Sequence, residues 1–577
     1  MSLGVQNSWL MANGTEPSVR SQDMETATPT PPPAMRIIHL DLNEEESHQQ
    51  RVSSKYSGMC FHVGITAMLC LMVVVIFFLA PLGEDGFNRT PEERFASRRK
   101  FYVDNERRLR LGSEMALSPL EEEASARLIT IKQMDEEEHD LWRNYHSQSP
   151  PFLSHLNISE TNLYAALRSM PKGGLLHVHD TGMLRMDILI ELAYRENLWV
   201  CVNQDQGFED FRFSRLLPNI PPAEDYHCDW MLMSNFFELE TQSAFVDRLK
   251  RSLAVRTEGY KSSAELGSHL RRHQRLVHGL TAFQPIWSDF IYTMLTDFYA
   301  DGVQYVELRS SLPIMYDLDG NNFTILETAE AILSVSDIFK NTYRDFYGIK
   351  LIYAPSRDFN DSRMNEYLAN ARMLKSNYPN FFAGFDLNTF GDECNLPVLG
   401  EATQLLRVGK DIDLYFHAGE SRCPDSSKPD ENLLDALLLG SKRIGNSVNL
   451  PFHPEIMRAM RNLRVAVEIC PLSNHYLQFF NDFRQHPVAY LIATGFPIVI
   501  GSDYPSFWNS APLTDDFYVA FVGVASGWGN LRLLKQLALN SFIYSSLNES
   551  ERNVAVTQWR CRWNRWVSQF VNSSGYH

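Results

Sequence analysis

Cysteine is scarce in this chain. Eight occur among 577 residues, too few for a disulfide scaffold although enough for one or two bridges. Positive charge is also short: 53 Lys and Arg face 70 Asp and Glu, leaving a formal charge of −17. Phosphate binding needs a clustered basic surface, so nucleic acid is excluded as a main partner. There is no Gly-rich phosphate loop and no internal repeat. Collagen-like, coiled-coil and wholly disordered readings fail on composition. What is present is a globular balance, 44% apolar and 21% charged. The length exceeds one ordinary domain.

Residues 1–58 are rich in Ser, Pro, Thr and Glu, with TPTPPPAM at 28–35, and lack hydrophobic periodicity. They read as a disordered tail. Residues 59–82 form a run of 24 without Lys, Arg, Asp or Glu, long enough to cross a bilayer as a helix. A buried core helix and a cleaved signal peptide are the alternatives. Because 58 residues precede the run and Pro81 disfavours cleavage after Ala80, an uncleaved transmembrane signal anchor is expected. Its orientation is contested. Arg89, Arg94, Arg98, Arg99 and Lys100 follow the run, against Arg51 and Lys55 before it, which leans towards a cytosolic C-terminus. Against this stand six Asn-x-Ser/Thr sequons after the run, at Asn88, Asn157, Asn322, Asn360, Asn548 and Asn572.

Residues 84–169 read as charged helices. Leu128, Ile131 and Met134 at threefold spacing among acidic runs mark an amphipathic helix with a wet face. From residue 170 the pattern changes to short apolar runs separated by helical stretches. Eight such runs occur, at 175–179, 303–309, 349–353, 381–387, 414–420, 442–446, 465–471 and 498–503. Buried parallel strands read this way, and eight alternating with helices predict an α/β fold, a (β/α)8 TIM-type barrel over 170–577. The long gap between the first two runs predicts an inserted subdomain at 190–268, which holds Cys201 and Cys228.

Three motifs carry chemistry. In the first run, His177 and His179 are two residues apart and so face one side of a strand. They are either two metal ligands or two hydrogen-bonded core histidines. The fifth run ends in residues 416–420, FHAGE, where His417 offers a third ligand and Glu420 lies close enough to serve a water on the same metal. The eighth run ends in Asp503, and strands one and eight are neighbours in a closed barrel. Three imidazoles and a carboxylate suit zinc with a further position open for water, whose pKa the metal would lower towards neutrality.

With these motifs the sequence resembles the adenosine deaminases, in particular their extracellular growth factor subfamily. The likeness rests on residues 170–180 (MPKGGLLHVHD), 383–387 (AGFDL), 416–420, 469–474 (ICPLSN) and 486–488 (HPV), and runs from about residue 90 to the C-terminus. The resemblance implies that His177, His179, His417 and Asp503 bind catalytic zinc. It implies that Glu420 shuttles a proton between the attacking water and purine N1. Asp180 and Trp287 match positions near the nucleoside, although a core aromatic is an equal reading of Trp287. Adenosine or a related nucleoside is the implied substrate. The resemblance further implies a Cys201–Cys228 disulfide in the insertion, homodimerisation and growth-factor activity through the helical segment, and a cell-surface receptor as a possible partner. It implies a location on the extracellular side, secreted or tethered through residues 59–82 as a single-pass type II membrane protein.

Four positions depart from the family pattern. Asn446 replaces a histidine that orients and stabilises the attacking hydroxide, and an amide cannot become a cation. Tyr504 replaces an aspartate that holds purine N7 and is neutral at pH 7. Thr389 replaces a glycine whose backbone approaches purine N3. Ser356 stands where a histidine is expected. The metal set is thus complete while the purine-reading set is eroded. Two readings follow: a zinc deaminase of weak or altered activity, or a catalytically silent paralogue that acts by binding a nucleoside or receptor.

Overall fold

The computed structural model describes residues 90–138, 158–203, 207–218, 228–239, 241–253, 263–390, 393–394, 396–408, 411–420, 428–480 and 482–573. The chain forms two compact units, Met1–Ser97 and Arg98–His577. Of the first, only residues 90–97 are described, and Pro91–Ser97 are helical. The expected tail and the apolar run at 59–82 lie outside the described residues.

The second unit is built on eight parallel segments. Strands β1 (Gly173–His179), β2 (Leu198–Val202), β3 (Phe208–Phe213), β4 (Asp229–Leu232), β5 (Val303–Ser310), β6 (Gly348–Tyr353), β7 (Phe382–Phe385), β8 (Arg443–Gly445), β9 (Ala466–Ile469) and β10 (Ile498–Ile500) follow in order. β1, β5, β6 and β7 make one parallel sheet, and β8, β9 and β10 another. The two sheets join at both ends. Residue 414 bridges Phe385 and His417 bridges Gly445, so residues 414–417 fill the place between β7 and β8. Val178 bridges Asp503, which joins the last segment to the first. The ring of eight is closed, the (β/α)8 arrangement expected from the sequence. Apart from Lys350 in β6, every residue of the seven named barrel strands is buried. Burial on both faces is why they read as largely apolar runs.

Helices follow from local signals. A capping box of Thr324 and Glu327 starts the helix Ile325–Thr342. Two sequon asparagines also act as N-caps, Asn360 for Asp361–Asn377 and Asn548 for Glu549–Asn572. The last of these buries Trp559, Trp563, Trp566 and Phe570 along one face, and Trp563 Nε1 donates to Glu121 at 2.7 Å. In the helix Pro119–Glu138 the buried stripe includes Ala124, Leu128, Ile131 and Asp135. Met134, expected on that stripe, is exposed. A strict threefold spacing drifts off a face that repeats every 3.6 residues.

The insertion after β1 carries the antiparallel sheet β3-β2-β4. Cys201 on β2 is disulfide-bonded to Cys228, with the Cα atoms 5.4 Å apart. The membrane placement is corrected: among the described residues no helix is long and apolar enough to cross a bilayer, which contradicts the single-pass type II location. In the described helices the reason is charge. The 24-residue helix Glu549–Asn572 is long enough to span but carries Glu549, Glu551, Arg552, Arg560, Arg562 and Arg565.

Candidate metal centre and active site

The closed ring brings the ends of β1, residues 414–417 and β10 to one mouth. There the donor atoms of His177, His179, His417 and Asp503 all lie within 4.8 Å of one another, and all four residues are buried. Nε2 of His177 and of His417 are 3.0 Å apart. Asp503 Oδ1 sits 3.5 Å from His177 Nε2 and 3.4 Å from His179 Nε2. Neither His179 Nε2 nor Asp503 Oδ1 has a hydrogen-bond partner. Buried polar atoms left bare are costly. Three imidazoles and a carboxylate converging with bare atoms fit a divalent metal ion.

The backbone is shaped to make this cluster. Asp503 and Asn446 hold left-handed conformations, φ 60° and 51°, unusual for residues other than glycine. At Gly501 a Cβ would lie 2.7 Å from His177 Cβ and 2.9 Å from Cys470 Sγ. Only glycine lets β10 pass the histidine strand this closely.

A buried ion network orients the imidazoles. His177 Nδ1 lies 2.7 Å from Glu468 Oε2, and His417 Nδ1 lies 2.8 Å from Asp386 Oδ2. Arg309 spans both carboxylates, donating to Asp386 at 2.8 Å and to Glu468 at 2.7 Å. Arg443 donates to the other Glu468 oxygen at 2.6 Å. Burial alone would raise the Glu468 carboxyl, but Arg309 and Arg443 overcome it and hold the group well below its ordinary range. Asp386 is likewise driven down by His417 and Arg309 against its burial. Such carboxylates fix imidazole tautomers and leave Nε2 free to ligate.

Glu420 is buried beside the cluster. Thr389 Oγ1 donates to its Oε2 at 2.5 Å and Asn446 Nδ2 lies 3.3 Å from its Oε1. Burial raises its carboxyl above the ordinary value, with His417 opposing and Asp503 adding to the rise. Asn446 also donates to Asp503 Oδ2 at 3.2 Å and accepts from Asn474 at 3.1 Å. Ser473 donates to the same Asp503 oxygen at 2.5 Å.

Tyr504 stacks nearly parallel on His179, centroids 4.5 Å apart at 10°, and on its other side against Phe507 at 4.6 Å and 18°. Asn388 Nδ2 donates to the Tyr504 hydroxyl at 2.9 Å and lies 3.3 Å from His179 Nδ1. Asp180 accepts from Ser310 at 2.6 Å and lies 3.5 Å from His278. Trp287 is placed in the core, packed on Phe290 with Nε1 3.4 Å from the Thr328 carbonyl. Ser356 faces a local turn, its Oγ 3.3 Å from the Asp358 nitrogen.

Reasoning from sequence missed Arg309, Asp386, Glu468, Asn388 and Ser473 as parts of the site. For Arg309 and Glu468 a signal existed: each is a charged residue inside an apolar strand run.

A barrel mouth with such a donor set and a buried carboxyl beside it fits a hydrolase of the metal-assisted class. Family models match twice: Adenosine/AMP deaminase N-terminal at residues 68–167 and Adenosine deaminase at residues 246–558. Adenosine deaminase of Lutzomyia longipalpis is 35% identical, covering 83% of this chain and 94% of that protein. Adenosine deaminase 2 of Sus scrofa is 34% identical over 81% of this chain and 92% of that protein, and that of Homo sapiens 31% over 89% and 98%. Among solved structures, the N6-methyl-AMP deaminase of Arabidopsis thaliana matches with a TM-score of 0.48 at 16% identity, covering 69% of this chain and 98% of that one. The chain belongs to the adenosine deaminase family of hydrolases, as a divergent member of its growth factor subfamily.

Proposed function

We propose that this protein is a zinc-dependent hydrolytic deaminase of adenosine or a related purine nucleoside, converting adenosine and water to inosine and ammonia. The observation that carries the reading is the convergence of His177, His179, His417 and Asp503, with two bare donor atoms, beside the buried Glu420. When bound, zinc supplies the Lewis acidity that makes water acidic near neutral pH. The chain's own residues do the rest. Glu420, its carboxyl raised by burial, carries a proton between the attacking water and purine N1. Asn446, placed between Glu420 and Asp503, aligns both but supplies no positive charge. Thr389 holds the Glu420 carboxyl by a hydrogen bond. Asp180 is assigned to the nucleoside side of the mouth.

The activity is weak or altered in this reading, because Asn446 and Tyr504 replace groups that stabilise the reacting atoms and the base. One observation favours the second reading, a silent paralogue that binds a nucleoside or a receptor. Tyr504 is sandwiched between His179 and Phe507 and tied to Asn388, against the metal cluster. Incubation of the purified zinc-loaded chain with adenosine, while inosine is measured, separates them. Turnover no greater than that of Glu420→Ala removes the enzyme reading. The helical segment at 84–169 is assigned to homodimerisation, and a monomeric mass in sedimentation removes that part.

A further inference from the structure

The turn that carries Glu420 is gripped through both kinds of backbone group. Glu393, buried in the loop after β7, accepts from the Gly419 N–H at 3.2 Å with one oxygen and from the Glu420 N–H at 2.8 Å with the other. Arg357, buried after β6, reaches the His417 carbonyl with Nη1 at 3.5 Å, and the same nitrogen lies 3.7 Å from Glu393 Oε1. A buried ion pair therefore brackets residues 417–420, the cation on a carbonyl and the anion on two amides. Gly419 has φ 68°, a left-handed conformation that turns successive N–H groups to one side. Two such groups form a concave anion seat, and here a side chain of the same molecule fills it. The next residue, Cys394, is disulfide-bonded.

We propose that Glu393, with Arg357 as its counter-ion, is a positioning residue for Glu420. The clamp fixes the direction of the 419–420 peptide, and that direction decides where the Glu420 carboxyl points. Thr389 and Asn446 restrain the carboxyl itself, but both act on a side chain whose root is set by Glu393. Without Glu393 the two amides stay buried and unsatisfied, and the peptide turns to find other acceptors. A displacement of about 1 Å at a reacting group is enough to cost about 10²-fold in rate. The inference rests on reading Glu420 as the proton carrier.

The test uses the full chain loaded with zinc, as wild type, Glu393→Ala and Glu393→Gln. Glu393→Ala is expected to lower kcat by about 10²-fold, with KM little changed and metal content equal to wild type. Glu393→Gln regains most of the loss, because its amide oxygen still accepts one N–H. Hydrogen exchange of a peptide covering residues 416–420 speeds up in the alanine variant. If that variant fails to fold, Glu393→Gln alone carries the test, with a smaller fall in kcat and faster exchange. Full metal content with unchanged kcat overturns the proposal. So does a loss of activity that tracks loss of metal, since Glu393 would then serve the ligand His417. If wild type shows no turnover, the deaminase reading falls, and the exchange rates still decide the clamp: unchanged rates at 416–420 overturn it.

Discussion

Glu468 on β9 reaches His177 on β1 at 2.7 Å, across the barrel interior past the intervening β10. The contact sets the face that His177 turns to the mouth. It is sustained by two guanidiniums, Arg309 and Arg443, so the donor cluster stands on a buried floor of ion pairs.

Replacing Arg309 with methionine should destabilise the protein by about 3–5 kcal/mol, because Asp386 then lies buried without its guanidinium. Denaturant titration reads this as a lower midpoint. A midpoint equal to wild type would show that the network carries no stability.

Metal removal should be visible without any activity measurement. A site filled at a hundred times its dissociation constant adds about 2.7 kcal/mol to stability, so a chelator should lower the melting temperature. His417→Ala should show no such drop, since one of the four converging donors is gone. Equal chelator sensitivity in both proteins would argue against the ligand set.

Tyr504→Asp combined with Asn446→His should raise adenosine turnover, by about 10²–10⁴-fold if the missing groups are the bottleneck. Tyr504→Asp also removes the ring stacked on His179. Steady-state kinetics decide it, and a flat result means the pocket has diverged at further positions.

Asp515 provides a pH dependence of stability. Burial raises its carboxyl to about 6, with the Tyr164 hydroxyl and the Ala511 amide opposing, the nearby Asp301 adding to the rise and Arg168 opposing. The folded state thus holds a proton there that the unfolded chain releases near pH 4. Its contribution is full below pH 4 and is lost as pH rises through about 6. From pH 4 to 7.5 the loss amounts to about 2 kcal/mol. Asp515→Asn should lack this loss, so its stability relative to wild type should improve with rising pH. Parallel curves for the two proteins would contradict the assignment.

The barrel was legible in the sequence because its strands are buried on both faces and therefore read as apolar runs. His177 and His179 were legible because a strand repeats every two residues. Closure followed from the eight runs, but its form did not: residues 414–417 join the ring through single bridges rather than a full strand, which no periodicity reveals. Arg309, Asp386 and Glu468 belong to a network whose members are far apart along the chain, and a single sequence shows no pairing between them. Glu393 and Arg357 lie in loops, where hydrophobic pattern says nothing about backbone acceptors. For Trp287 the sequence left a place near the nucleoside and a core aromatic as equal readings, because a buried aromatic on a helix gives the same local signal in either role; it is buried and packed on Phe290.

The seam between Val178 and Asp503 has a consequence for biogenesis. The donors come from the beginning, middle and end of the barrel, so a nascent chain lacks the complete set until its eighth segment has left the ribosome. Metal therefore cannot template the early stages of folding. Any metal held by these donors is acquired by a nearly finished barrel, and every chain truncated before residue 503 lacks the full donor set.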